Sequence, residues 1–160
     1  MPVALLRVDE RLIHGQVVVG WGGHLHPDRI VVVDDALAES PWEQELYILG
    51  LPPGLEADFV SVRDARSQFE GWRNDPRRYI VLLRDVGSLR KLAECETLRG
   101  AEVNLGGVHH AEGRRHVLPY VYLSEGEWQE LEEVADSGAE VSARDVPGAT
   151  RVPLGDMRKP

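Results

Sequence analysis

Cysteine is almost missing from this chain. The only one is Cys95, so no disulfide can close within it and no C-x-x-C pair is available to hold a metal. A reducing, cytoplasmic setting fits that usage. Long apolar runs are missing as well, and none approaches the roughly 20 residues a bilayer-spanning helix needs. The opening stretch MPVALLRVDE has neither a basic leader nor a small-residue cleavage site, so a soluble, unexported protein is expected. Basic residues are in deficit, 18 against 27 acidic ones, for a formal charge of −9. That balance argues against tight nonspecific binding to nucleic-acid phosphates or to anionic membrane, so any cationic site must be local. Neither G-x-G-x-x-G nor G-x-x-x-x-G-K-[ST] occurs, which weakens a nucleotide-binding enzyme as a reading. Trp21, Trp42, Trp72 and Trp128 lie too far apart in sequence to suggest a base-stacking platform, and fit a core or its margins better.

What is present reads as one domain over residues 1–160, since 160 residues with 42% hydrophobic content can bury a substantial core. Short β-branched and aliphatic runs predict strands at 3–8, 29–35, 57–62, 79–84, 101–106, 116–123 and 140–146, and Pro119 marks the sixth as an edge or a bulge. Helical spacing fills 15–23, 40–50, 64–73, 86–95 and 124–136. The last is clearest: Ser124 and Glu127 form a capping box, Trp128, Leu131 and Val134 share a face, and Gly138 ends it. Strands alternating with helices predict an α/β fold of three layers, a mainly parallel open sheet with helices on both faces. Residues 146–160 read as an irregular tail.

The chemistry concentrates in RVDERLIHGQV, residues 7–17, which sets two arginines, two acids and a histidine between apolar runs. In open parallel sheets ligands gather beyond the carboxyl ends of strands, and this stretch leaves the first predicted strand there. His14 then stands at a helix entrance, where a partial charge of roughly +0.5 favours anions and disfavours a permanently protonated ring. A neutral imidazole keeps a lone pair for attack on phosphorus, and Arg7 and Arg11 offer planar forks of donors to phosphoryl oxygens. Asp9 would orient the ring or hold an arginine. Gly15 would leave room that a side chain would take from the ring, and with Gln16 it belongs to the expected phosphate-binding set. The reading is a histidine that accepts and donates a phosphoryl group with no metal or cofactor. Its rival is a loop of surface ion pairs in which His14 merely caps the helix.

The stretch resembles the phosphorylation loop, R-[IV]-D-x-R-L-I-H-G-Q-V, of the mannose/fructose/sorbose family of IIB subunits of the bacterial phosphoenolpyruvate-dependent sugar phosphotransferase system. Trp21, the segment DRIVVVDDALAESPWEQELYILGLPPG and the N-x-G-G of VNLGGVHHAEGRR extend the likeness over roughly residues 3–145. The resemblance implies an α/β fold and a phosphocarrier whose His14 takes a phosphoryl group from a IIA phosphohistidine. It passes the group to a hexose-type sugar arriving through a membrane IIC/IID permease, with the protein peripheral to that permease. It further implies Arg11 as the phosphate-stabilising partner, Arg7 and Asp9 in support, and the ring nitrogen nearer the backbone as the one modified. A regulatory or orphan relative, phosphorylated or binding partners without serving uptake, would share the same loop. The chain departs from the family in VVVGWGGHLHPDR after the loop, in the arginine-rich RDARSQFEGWRNDPRRY and beyond Asp145.

Other candidates are weaker. Asn104, Gly106 and Gly107 follow a predicted strand and could present donors beside the first loop, although paired glycines also make ordinary turns. Asp34 and Asp35 end a strand on the same side, where helix capping explains them nearly as well. His24, His26, His109, His110 and His116 lack an accompanying acidic or thiol ligand set, so no metal is expected. Cys95 reads as a packing residue. The sequence leaves homo-oligomerisation and the identity of the sugar open.

Overall fold

The computed structural model describes residues 3–158, so the ends of the opening stretch and of the tail, residues 1–2 and 159–160, lie outside it. Strand β1 (Leu5–Val8) leads through a polar loop into a π-helical segment, Gln16–Trp21, continued by α1 (Gly22–Leu25). Then follow β2 (Arg29–Val33), α2 (Asp35–Ala38), α3 (Pro41–Ile48), β3 (Glu56–Val60), α4 (Val62–Asn74), β4 (Tyr79–Leu83) and α5 (Val86–Leu92). A 3₁₀ turn at Glu94–Glu96 precedes β5 (Glu102–Leu105), β6 (Arg115–Leu118), β7 (Val121–Leu123), α6 (Glu125–Asp136), β8 (Glu140–Ala143), β9 (Val152–Pro153) and α7 (Leu154–Met157).

Seven strands make one sheet in the order β3-β2-β4-β1-β5-β8-β9, parallel throughout except for the β8–β9 edge. The period-2 alternation of each strand sorts its residues to opposite faces. Leu6, Val8, Val81, Leu83, Val103 and Leu105 pack with Phe69 and Trp72 of α4, Leu89 and Leu92 of α5, and Trp128 and Leu131 of α6. Leu5, Ile30, Val32, Ile80 and Leu82 face the other way, against Leu12, Ile13, Val17, Trp21 and Leu37. The expected three-layer α/β architecture is what forms.

Four strand-to-helix junctions are closed by a side chain placed just after the strand, whereas the helix after β1 starts at Gly15 with no side-chain cap. Asp34 accepts from the Leu37 amide, Ser61 from Asp64, Asp85 from Ser88 and Ser124 from Glu127, whose own carboxylate returns to the Ser124 amide. Asp35 accepts the Val62 amide at 2.8 Å. Of the two readings of Asp34 and Asp35, both therefore act on backbone amides at helix starts.

Two elements differ from the sequence reading. Residues 116–123 are not one strand but an antiparallel hairpin, β6 and β7, outside the main sheet, with Pro119 in the turn where its missing N–H costs nothing. The stretch 146–160 is not wholly irregular: Val152 pairs with Ala143, and Met157 of α7 is buried in the core. Among the described residues, no helix is long and apolar enough to cross a membrane.

Candidate functional site

The chain reaches the site because β1 is central and its neighbours β4 and β5 end beside it. The Asp9 amide donates to the Leu83 carbonyl at 2.9 Å, the Glu10 amide to the Gly107 carbonyl at 2.8 Å, and the Gly106 amide to the Val8 carbonyl at 2.8 Å. The loop after β1 is thus threaded between two strand ends, the usual place for a ligand in an open parallel sheet. Leu12 and Ile13 sink into the core from its middle, which leaves Arg11 and His14 on either side of an apolar anchor. Leu12 is fully buried with φ of +56°, a left-handed conformation that costs of order 1 kcal/mol for a branched side chain and is held by the packing around it.

Asp9 is the hub. Its carboxylate has no solvent exposure and accepts from Arg7 Nε and Nη2, from Arg11 Nε, Nη2 and backbone amide, and from the Gly107 amide, all between 3.0 and 3.3 Å. Burial alone would raise its pKa. The Arg11 side-chain and backbone hydrogen bonds, the Arg7 charge and the Gly107 amide outweigh that and hold the carboxyl below the usual aspartate range. Two guanidinium groups against one carboxylate leave a local positive excess in a protein whose net charge is −9.

The two arginines have different parts. Arg7 is wholly enclosed, and its donors are taken up by Asp9, by the Asn104 side chain at 2.5 Å and by the backbone carbonyls of Arg144 and Asp145. Its guanidinium lies 5.5 Å from the Trp21 ring, whose indole N–H binds the Asp145 carbonyl. Burial lowers its pKa and Asp9 opposes that shift. With every donor directed inward, Arg7 has none to offer a phosphoryl oxygen, which corrects the fork expected of it: it supports Asp9 from behind. Arg11 is about a third exposed, reaches Gln16 Oε1 at 2.8 Å as well as Asp9, and keeps its Nη1 out of these bonds.

His14 stands beside this pair, its side chain 16% exposed and its Nε2 3.7 Å from Asp9 Oδ2. Nδ1 lies 2.8 Å from the Leu12 carbonyl, and since a carbonyl only accepts, the ring carries its proton there. Nε2 then holds the lone pair, is shielded from solvent and has no hydrogen-bond partner. A buried nitrogen without a partner is costly, and among the described residues Arg73 Nη2 and Arg84 Nε share that condition.

The glycines of NLGG serve clearance rather than turn formation. A Cβ on Gly106 would fall 2.2 Å from Arg7 Cζ, and one on Gly107 would fall 3.0 Å from Arg11 Nη2 and 3.1 Å from His109 Nε2. Asn104 fixes Arg7, and Gly107 gives its amide to Asp9. Gly15 is different: a Cβ there meets nothing within 4 Å beyond its own chain neighbours His14 and Gln16. The sequence reading missed Arg114, which binds Glu10 Oε1 at 2.7 Å and both Glu127 oxygens at 2.8 and 2.9 Å, tying the loop to the first turn of α6. The capping box exposed Glu127 to view but not this second bond. Asn104, Gly106, Gly107, Arg7, Asp9, Arg11, Gln16 and His14 are thus brought together, while His24 and His26 lie at the far end of α1. Among the described residues no group of three or more His, Cys, Asp or Glu side chains is arranged to hold a metal.

Comparison with known proteins gives the site its context. Residues 3–159 match the family described as the sorbose subfamily IIB component of the phosphotransferase system, so the match continues past Asp145, where the motif likeness had ended. The chain is 28% identical over 155 residues to the N-acetylgalactosamine-specific phosphotransferase enzyme IIB component 1 of Escherichia coli K12, covering 96% of this chain and 97% of that one. It is 27% identical over 157 residues to the mannose-specific EIIAB component of the same strain, 98% of this chain but 48% of that longer protein. The crystal structure of the N-acetylgalactosamine-specific IIB component 1 from Escherichia coli superposes with a TM-score of 0.85 at 28% identity, covering 94% of this chain and 97% of that one.

Proposed function

The chain belongs to the sorbose-subfamily IIB components of the phosphotransferase system, phosphocarriers of mannose-family sugar transport, and from that premise we propose that His14 is the residue on which it carries the phosphoryl group. The observation behind this reading is the His14 imidazole set beside the Asp9–Arg11 pair.

The donor is a phosphohistidine on a IIA component, and the acceptor is a hexose-type sugar at a IIC/IID permease. That the mannose-specific relative is an EIIAB protein supports a IIA partner for this chain. In the resting rotamer neither ring nitrogen is open, because Nδ1 is bonded to Leu12 and Nε2 is enclosed. The ring first turns away from the Leu12 carbonyl. There Nδ1, the nitrogen nearer the backbone, gives its proton to water while Nε2 takes one up, which frees the Nδ1 lone pair and leaves an Nε2–H whose carboxylate neighbour is Asp9 Oδ2, 3.7 Å away in the resting rotamer. The Nδ1 lone pair then forms the bond to phosphorus while the donor's N–P bond breaks, its electron pair staying on the donor imidazole. Arg11 offers its guanidinium to the phosphoryl oxygens, and Arg7 and Asp9 keep that guanidinium in place. In the second step a sugar hydroxyl oxygen bonds to phosphorus, the His14 N–P bond breaks with its pair returning to the ring, and the hydroxyl proton is released.

The test incubates the purified protein with phosphoenolpyruvate, enzyme I, HPr and a mannose-family IIA, following intact mass. Wild type is expected to gain one acid-labile phosphoryl group and His14→Ala none. An adduct that persists in the variant overturns the assignment.

A further inference from the structure

Helix α3 carries more apolar surface than the fold uses. None of its residues is buried. Gln44 Nε2 ties it to α2 through the Leu37 and Ala38 carbonyls, at 2.8 and 3.2 Å, and Tyr47 leans on Phe59 with ring centroids 6.5 Å apart. Trp42 and Leu46 stand four residues apart on one helix face, and Leu49, which follows the helix in helical φ/ψ, continues it. That face is open: the three side chains belong to residues 66%, 58% and 82% exposed. Single exposed hydrophobes need no explanation, but a row of three beside a hollow marks an interaction site. The hollow, of about 370 Å³, is lined by Trp42, Glu43, Leu46, Tyr47, Gly50 and Ile13. Ile13 precedes His14 in the chain, so the row runs up to the proposed phosphoryl acceptor.

The charge around the row is of one sign. Residues 35–55 contain Asp35, Glu39, Glu43 and Glu45 and no Lys, Arg or His. None of these four carboxylates forms an ion pair among the described residues. Such a face repels the anionic headgroups of a bilayer, and repels its own copy across a two-fold axis, where the same patch meets itself. It suits a protein that presents apolar side chains within a basic rim. The cytoplasmic loops of membrane proteins carry that excess of Lys and Arg. A partner that stays docked also takes a more apolar interface than a donor that comes and goes.

We infer that the Trp42, Leu46 and Leu49 row is the seat of the IIC/IID permease, which covers it with an apolar segment flanked by Lys or Arg and so brings its sugar to His14; this rests on the phosphocarrier reading above. Trp42 and Leu46 are the anchors, and Glu43 and Glu45 select for the basic rim. The IIA donor makes no use of α3.

The experiment uses the full chain with inverted membrane vesicles bearing a mannose-family IIC/IID pair, chosen as one to which the wild-type chain passes its phosphoryl group. Two steps are read: acceptance from IIA, by intact mass, and sugar phosphorylation as the concentration of phosphorylated chain is varied. Trp42→Ser and Leu46→Ser are each expected to raise the KM for the phosphorylated chain about tenfold or more, the scale of an interface anchor lost. The kcat, the IIA step and the melting temperature should stay at wild-type values. Wild-type KM should rise with salt, and the Glu43→Lys, Glu45→Lys double variant should raise it at low salt and abolish that dependence. A wild-type KM in both serine variants overturns the inference. So does a slowed IIA step with the permease step intact, which gives the row to the donor, or a wild-type dimer in sedimentation that the variants lose, which gives it to a second copy. In each of these cases His14 stands. A wild-type chain that takes no phosphoryl group from IIA overturns the His14 reading, and this one with it.

Discussion

Asp9 is the residue on which the arrangement turns, because it neutralises one fully buried guanidinium and orients another that is partly open. Asp9→Asn keeps the shape and removes the charge, leaving Arg7 buried without its counter-ion, a change that typically costs about 3–5 kcal/mol. Urea unfolding should report that loss at neutral pH. Its pH dependence has a definite sign. The folded carboxyl titrates below the unfolded one, near 3.9, so its stabilisation is complete above that value and is lost as pH falls through the lower folded value. Wild type and Asp9→Asn should therefore converge in stability only in strong acid. The glycines supply a paired prediction. Gly106→Ala drives a methyl into the Arg7 guanidinium and should cost about 2 kcal/mol or more and reduce phosphoryl acceptance, whereas Gly15→Ala, in helical φ/ψ and clear of every residue beyond its chain neighbours, should gain up to about 1 kcal/mol. Both outcomes are read by denaturation and by rate of phosphorylation. The sequence points to Gly15 as the residue that makes room, and the structure adds Gly106 and Gly107 to it. Residue type cannot reveal it, because the atoms that need the space are guanidinium groups nearly a hundred positions away in the chain.

Among the elements, those with strong local signals are legible in the sequence itself. Capped, amphipathic α6 runs where Ser124, Glu127 and the Trp128/Leu131/Val134 face predict it, and five of the seven sheet strands lie inside apolar runs that name themselves. Helical spacing predicts the helix after the 9–14 loop but not its π-helical winding, since QVVVGW has no composition that separates a π from an α turn. The run 116–123 predicts one strand because Pro119 suits an edge or a bulge, whereas it stands in the turn of hairpin β6–β7. α6 also permits a separation of roles. Ser124→Ala breaks only the cap and should cost about 1 kcal/mol without changing phosphoryl acceptance, while Glu127→Gln keeps an amide oxygen for the cap but weakens the clasp on Arg114. Acceptance should fall in the second variant more than stability does. On the same helix, burial together with Glu127, Glu133 and Asp85 raises the Glu130 pKa against the opposing charge of Arg90. Ionised Glu130 is therefore a liability above its folded pKa and none below the unfolded one. Glu130→Gln should stabilise the protein by up to about 0.5 kcal/mol at pH 7 and not at all in acid, as thermal melts at the two pH values would show.

For the molecule as a whole, class was readable and strand order was not. Alternating strands and helices imply a covered, mainly parallel sheet. Which strand sits at the centre depends on the crossovers that put β4 and β5 on either side of β1, information spread over 100 residues. That order makes the site, since the Asp9 and Glu10 amides need the ends of β4 and β5 as partners. The tail shows the same dependence. VPGATRVPLGDM has turn-rich composition, yet β9 closes the edge beside β8 and Met157 enters the core, so Met157→Ala should cost about 2 kcal/mol or more in urea, a loss no irregular tail would give. Across these scales the account converges on one atom-level claim, that the phosphoryl group rides on His14 inside a locally basic pocket of an acidic protein. The most direct test is to phosphorylate the wild-type chain through the IIA system, digest it at alkaline pH and locate the adduct by tandem mass spectrometry. The account predicts a single adduct on His14. An adduct on His24, His26, His109, His110 or His116 in place of His14, or none with a IIA active on its own IIB, would contradict it.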